Sequence, residues 1–189
     1  ILANKGLAFE KKEEYDQAIE CYLQGLKIAQ RLCQDRLILT NQYRLLRALY
    51  WAGYREKAKS LLESTETLAK QLQHRPGLAW VNLVKGFLLM DAENLDEALE
   101  ALHNALNHAL DYNSYFLDEI LDAIKFQCNQ AGLRVNQLLM QLVVLWNNKG
   151  PDGVTFSEKE EVIRKRERPK NKRGKLVVEV LEELYKPTP

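Results

Sequence analysis

The chain has 189 residues and a formal net charge of +1, and its 46% hydrophobic and 28% charged residues are typical of an ordinary folded protein. The near-neutral charge provides no global attraction to nucleic acid or to a membrane surface. No apolar run reaches the length of about 18 residues that a membrane-spanning helix needs, so we expect no membrane partner.

Residues 1–34 are predicted to form a first pair of helices. Residues 1–12 have a helical pattern, and residues 11–14 form a short polar turn. From Tyr15 to Ile28 apolar residues recur mostly at three- and four-residue steps, the spacing of an apolar stripe on an α-helix. Because the chain opens in the middle of a helical pattern, we expect it to be a piece of a longer protein.

Two further units follow, at residues 35–75 and 77–112. In the second unit we predict a helix at about 35–51, a turn at Gly53, where a left-handed backbone suits glycine, and a helix at about 54–73. The pair Pro76-Gly77 is expected to break the chain before the third unit. Its helices are predicted at about 78–92 and 95–110.

An alanine recurs at the same place in each unit, at Ala18, Ala58 and Ala98, with 40 residues between successive members. A small residue at a fixed period indicates a point where two helices approach closely. Self-similarity at a period of this size is typical of an α-solenoid. The sequence therefore predicts an all-α fold.

The pattern weakens after the third unit. Residues 114–149 are predicted to be a degenerate fourth and terminal unit, which completes a domain at 1–149. The turn-forming sequence at 150–153 then opens a charged extension, 150–189, with a basic linker and a short amphipathic helix at 176–185. The basic residues of the linker are Arg164, Lys165, Arg166, Arg168, Lys170, Lys172, Arg173 and Lys175.

Small and large apolar residues recur in all three clear units, at Gly6, Phe9, Ala18, Tyr22 and Gly25, at Gly53, Ala58 and Leu62, and at Leu83, Gly86, Ala98, Leu102 and Ala105. In these positions the units resemble tetratricopeptide repeats. The resemblance implies antiparallel helix pairs that wind into a right-handed superhelix. Leu46 replaces the helix-packing glycine, and the period of 40 exceeds the usual value of about 34, which predicts longer second helices.

The resemblance also implies that the first helix of each pair lines a concave groove. The residues expected to line it are Tyr43, Arg47, Tyr50, Trp51, Trp80, Leu83, Phe87, Met90 and Phe126. This surface would be aromatic and apolar, and it suits a peptide or an amphipathic helix. One candidate occupant is the chain's own helix at 176–185. The Lys and Asn clamp of chaperone-tail adaptors is missing, because its places hold Ala3, Leu7, Arg44, Trp80 and Val84.

Residues for catalysis or metal binding do not form a recognisable set. His103 and His108 are five residues apart and do not share a helix face, and Cys128 lies on an apolar stripe. Phosphate-binding glycine loops and His-Glu-x-x-His motifs are absent from the sequence. We therefore expect no enzyme, no cofactor and no metal. The odd number of widely spaced cysteines, three in all, indicates a reducing, cytoplasmic compartment.

The sequence thus predicts a protein-interaction module that serves a larger protein as its sensing or docking arm. Two alternatives remain open at this point. One is the sensor domain of a regulator that binds nucleic acid through the basic residues of 164–175. The other is the regulatory domain of an enzyme whose catalytic part lies outside this chain.

Overall fold

The computed structural model describes residues 2–112 and 114–131, and these residues are entirely helical apart from short turns. Seven helices follow one another within them: α1 (Leu2–Glu10), α2 (Tyr15–Arg31), α3 (Asp35–Trp51), α4 (Arg55–Gln71), α5 (Arg75–Asp91), α6 (Leu95–Tyr112) and α7 (Ser114–Ala131). The predicted all-α class is confirmed for this part of the chain. Residues 132–189 lie outside the described residues, and so do the boundary at 149 and the extension.

Nearly identical turns join the successive helices from α1 to α6. Helices α2 to α6 begin at intervals of 20 residues, and the residue two positions before each of them has a positive φ. A left-handed residue at this place ends a helix by redirecting the chain. Only one of the five is a glycine, the predicted Gly53: the set is Glu13 (φ 61°), Cys33 (φ 49°), Gly53 (φ 84°), Gln73 (φ 47°) and Glu93 (φ 60°).

Small residues on the second helices lie in the core. Ala18, Ala58 and Ala98 have no exposed surface, as is expected of residues that lie between packed helices. A second series with the same spacing, which our sequence prediction does not include, is equally buried at Ala29, Ala69 and Ala109. Helices α2, α4 and α6 therefore each carry a small residue in the first turn and another near the end.

Neighbouring helices run antiparallel. A Cβ atom at Gly86 would lie 2.8 Å from the side chain of Leu102, and Arg75 lies 3.3 Å from Asp111. Both pairs are centred on the turn between α5 and α6, as in a hairpin of helices. Gly6 of α1 meets Tyr22 of α2 in the same way, since a Cβ atom at Gly6 would lie 2.5 Å from the tyrosine ring.

The first helices of successive units lie side by side and parallel. From α3 to α5, Tyr43 is near His74 and Tyr50 is near Phe87, so the contacts advance in the same direction along both helices. Helix α7 contacts α5 and also reaches α3, where Gln127 donates a 3.0 Å hydrogen bond to the hydroxyl of Tyr50. The core therefore lies between α3, α5 and α7 as well as between paired helices.

One detail of the sequence prediction is wrong. Helix α5 begins at Arg75, so Pro76 lies inside its first turn, where the missing N–H costs no helical hydrogen bond. The break comes at His74, which caps the helix. The first and second helices are equally long in the second unit, since α3 and α4 both have 17 residues.

Candidate functional site

The residues predicted to line a groove are mostly in the interior. Six of the nine are buried, namely Tyr43, Arg47, Tyr50, Trp80, Leu83 and Phe87. Trp51 and Met90 are half-buried, and Phe126 is 39% exposed. These last three residues, near the ends of α3 and α5 and in the later half of α7, are here called the Trp51 rim.

Aromatic packing explains the burial. The ring centroids of Trp51 and Phe87 are 5.5 Å apart, and those of Tyr50 and Phe87 are 5.6 Å apart. Helix α7 brings Phe126 edge-on to Trp51, also at 5.5 Å. Such spacings are favourable for aromatic pairs. The rings therefore fill the space between three first helices, and only the rim remains accessible.

Arg47 is the polar centre of this layer. Its Nε donates a 2.7 Å hydrogen bond to Glu10 of α1, and its Nη1 lies 3.4 Å from Glu119 of α7. The guanidinium carbon is 4.2 Å from the ring centroid of Trp80 on α5. Burial alone would lower the pKa of Arg47, but Glu10 raises it above its usual value. Arg47 is thus buried and has partners on three other helices, α1, α5 and α7.

Glu10 is a key residue that our sequence prediction does not include. Its second carboxylate oxygen accepts a short hydrogen bond from the hydroxyl of Tyr22. Burial and the adjacent Glu10 raise the pKa of Tyr22. The signal in the sequence is Arg47 itself, because a cation within the apolar run 45–50 needs a buried partner.

A charged pair borders the Trp51 rim. Arg55 of α4 donates a 2.8 Å hydrogen bond to Asp91 at the end of α5, and its guanidinium lies 4.0 Å from the ring centroid of Tyr50. Burial, with a further contribution from Asp91, raises the pKa of Tyr50. Both members of the pair are about two-fifths exposed, at 40% and 39%. The rim therefore combines an apolar surface with an accessible polar edge.

The side chains of His74 and His108 contact other residues of the protein. The Nδ1 atom of His74 accepts a 2.9 Å hydrogen bond from the backbone N–H of Gly77 and so caps α5. The Nδ1 atom of His108 lies 3.1 Å from Arg75. Among residues 2–112 and 114–131, no group of three or more His, Cys, Asp and Glu side chains could hold a metal ion. The side chain of Cys128 is outside the described part.

The predicted basic residues of 164–175 and the helix at 176–185 lie outside the described residues. No helix in the described part of the chain has the length and apolar character needed to cross a membrane. Comparison of the chain with protein-family models, with curated proteins and with solved structures finds no match.

Proposed function

We propose that this chain is a protein-interaction module that binds an apolar side chain of a peptide or amphipathic helix at the Trp51 rim. The observation that carries the proposal is the contact between Trp51 and Phe126. Their rings meet at 5.5 Å, yet Phe126 keeps 39% of its surface exposed. Aromatic residues with accessible faces on a rigid layer of helices are favoured as binding anchors.

The architecture that we propose is an α-solenoid of tetratricopeptide-like repeats. Three observations support it: the period of 40 residues in the helix starts, the two buried alanine series with the same period, and the parallel contacts from α3 to α5 and α7. Each described first helix contacts the next, and the second helices α2, α4 and α6 pack against α1, α3 and α5. A right-handed superhelix follows if the remaining units continue this arrangement.

The geometry favours a short contact over a long groove. Because Tyr50, Leu83 and Phe87 are buried, the ligand would contact mainly Trp51, Met90 and Phe126. The Arg55–Asp91 pair at the edge offers hydrogen bonds to a peptide backbone. A single large apolar anchor flanked by polar residues fits this surface, and we propose that the protein acts in the cytoplasm, where exposed thiols such as Cys33 persist.

Selection from a displayed library of random peptides tests this function. We expect the full chain to enrich peptides with a large apolar or aromatic residue, and we expect these peptides not to bind the Phe126→Ala variant. The proposal fails if no sequence is enriched, or if enriched peptides bind the variant and the parent chain equally. Circular dichroism spectra verify that the variant remains helical.

A further inference from the structure

The Trp51 rim continues along the line of contact between α3 and α7. Two contacts define this line: the rings of Trp51 and Phe126 meet at 5.5 Å, and Nη1 of Arg47 lies 3.4 Å from Glu119. Each helix contributes two of these residues from one face, because they are four positions apart on α3 and seven positions apart on α7. Ala123 lies between the two α7 residues on the same face and is half-buried. These five residues are here called the α3–α7 seam.

The seam has an apolar end at the two rings and an acidic end at Glu119. At the acidic end one guanidinium serves two carboxylates, because Arg47 also lies 2.7 Å from Glu10. The side chains of Arg47 and Glu10 are only 6% and 7% exposed, whereas the side chain of Glu119 is 40% exposed. This group of three therefore carries one negative charge in excess, and the accessible carboxylate is the one at the seam.

The helices around the seam add further negative charge. Helix α7 contains three acidic residues and one basic residue, and residues 91–100, at the end of α5 and the start of α6, contain five acidic residues and no basic one. The neighbouring cations are directed elsewhere. Arg55 donates a 2.8 Å hydrogen bond to Asp91, and Arg44 donates a 2.9 Å hydrogen bond to the carbonyl oxygen of Ala3 on α1. A ligand at the seam therefore meets an excess of carboxylates.

We propose that the ligand of the Trp51 rim is a basic amphipathic helix, in which a Lys or Arg three or four positions from the apolar anchor pairs with Glu119. Charge complementarity selects the cation. The apolar and acidic ends of the seam are four residues apart on α3, which is about 6 Å at 1.5 Å per residue, and one turn of a ligand helix spans nearly the same distance. This inference rests on the function proposed for the rim and adds the charge of its ligand.

The source of this helix is a partner protein. The chain's own basic residues of 164–175 are followed directly by Leu176, so this segment contains the required types of residue. However, Gly174 lies between Arg173 and Leu176, and a glycine disfavours the helical turn that would place the cation and the anchor on one face. The seam is therefore left to a helix from another protein.

The sequences that library selection enriches on the full chain give the first test. We expect them to carry a Lys or Arg three or four positions from the apolar anchor. Peptides that need Phe126 but show no preference for Lys or Arg would overturn this inference and leave the proposed function intact. The absence of any enriched peptide would instead overturn the proposed function, and this inference with it.

Calorimetric titration of one enriched peptide gives the second test. Replacing its basic residue with Gln should weaken binding about fivefold, and so should Glu119→Gln in the protein, as the loss of one partly exposed ion pair does. Glu119→Gln leaves the buried pair of Glu10 and Arg47 in place. The two changes together should weaken binding no further than either alone, because both remove the same pair. Losses that multiply would overturn the proposal. Glu63→Gln, at an exposed position of α4, is the matched control and should leave the affinity unchanged.

The same peptide tests the source of the ligand. Replacing Lys172, Arg173 and Lys175 with Gln should leave its affinity for the full chain unchanged. A tenfold rise in affinity would overturn the proposal, because the chain's own basic segment would then be the occupant of the seam. Self-association that Glu119→Gln abolishes, measured by analytical ultracentrifugation, would overturn it too, because the occupant would then be a second copy.

Discussion

The Nε atom of Arg47 on α3 lies 2.7 Å from a carboxylate oxygen of Glu10 on α1, and the two side chains are only 6% and 7% exposed. This ion pair joins the first helices of two successive units inside the protein. Its neighbours are also engaged, since Tyr22 donates to Glu10 and Trp80 lies against the guanidinium. In a buried pair each charge depends on the other, because desolvation leaves no water to replace a lost partner.

Removing one charge of this pair should be costly. We expect Glu10→Ala to lower the free energy of unfolding by about 3–5 kcal/mol, because it removes the buried counter-charge of Arg47 and leaves only Glu119, which lies 3.4 Å away and is 40% exposed. Urea denaturation measures the change. The double variant Glu10→Met with Arg47→Met should lose much less stability than the sum of the losses in the single variants Glu10→Met and Arg47→Met. A double loss equal to that sum would contradict the coupling.

The close approach of α5 and α6 at Gly86 should make the stability of the protein sensitive to the size of the side chain at this position. A Cβ atom there would lie 2.8 Å from Leu102 and 3.3 Å from the carbonyl oxygen of Ala98. We expect Gly86→Ala to destabilise the protein by about 1–3 kcal/mol through overpacking. Leu102→Ala should cost less in the Gly86→Ala background than in the parent chain, as thermal unfolding would show. Additive losses would mean that the two positions do not touch.

The turn at Gln73 should tolerate, and benefit from, glycine. Its φ of 47° is in the left-handed region, which costs an ordinary residue about 1–2 kcal/mol and costs glycine nothing. After the entropy of glycine is subtracted, we expect Gln73→Gly to stabilise the protein by about 0.5 kcal/mol. Glu63→Gly, in the exposed middle of α4, is the control and should destabilise by about 0.5–1 kcal/mol. Destabilisation by both changes would argue against the turn geometry.

Stability should fall in mild acid because of His74. Its Nδ1 accepts the capping hydrogen bond from Gly77, which requires a neutral ring. Burial and the positive charge of Arg36 lower the pKa of His74. The unfolded chain therefore binds this proton more readily, with a pKa of about 6.5, so the stabilisation is complete above that pH and is lost as the pH falls through the lower pKa of the folded state.

Denaturation curves between neutral and mildly acidic pH check this expectation. In His74→Asn the amide oxygen accepts from Gly77 at any pH, so the loss of stability in acid should be smaller. His108, whose pKa is also lowered by burial and Arg75, keeps its own contribution in this variant. An unchanged dependence on pH in His74→Asn would show that the cap does not titrate.

Local features of the fold could be predicted from the sequence. The bounds of α3 and the turn at Gly53 were both expected, since they depend on spacing and on one glycine. The start of α5 was not, because Pro76 ends helices in most positions but is tolerated in a first turn. The spacing of apolar residues predicts that a helix forms, but it does not predict where a helix with a proline near its start begins.

The candidate site could be predicted only in part. Our prediction placed Tyr50 and Phe87 in an open groove, whereas both are buried and their ring centroids lie 5.6 Å apart. The hydrogen bond from Gln127 to Tyr50 spans 77 positions, and no local pattern carries such a contact. The contact between Glu10 and Arg47 could not be predicted for the same reason, because the two residues lie 37 positions apart in the sequence. Which aromatic residues stay accessible depends on contacts between helices that are far apart in the sequence, and the repeat period does not determine these contacts.

Calorimetric titration of a library-selected peptide into the Phe126→Ala and Tyr112→Ala variants tests the central claim most directly. Both residues are exposed aromatics, at 39% and 53%, but only Phe126 belongs to the Trp51 rim. We predict that Phe126→Ala weakens binding about tenfold or more, as loss of an anchor residue does, and that Tyr112→Ala leaves the affinity unchanged. Equal affinities for the parent chain and Phe126→Ala would contradict the account.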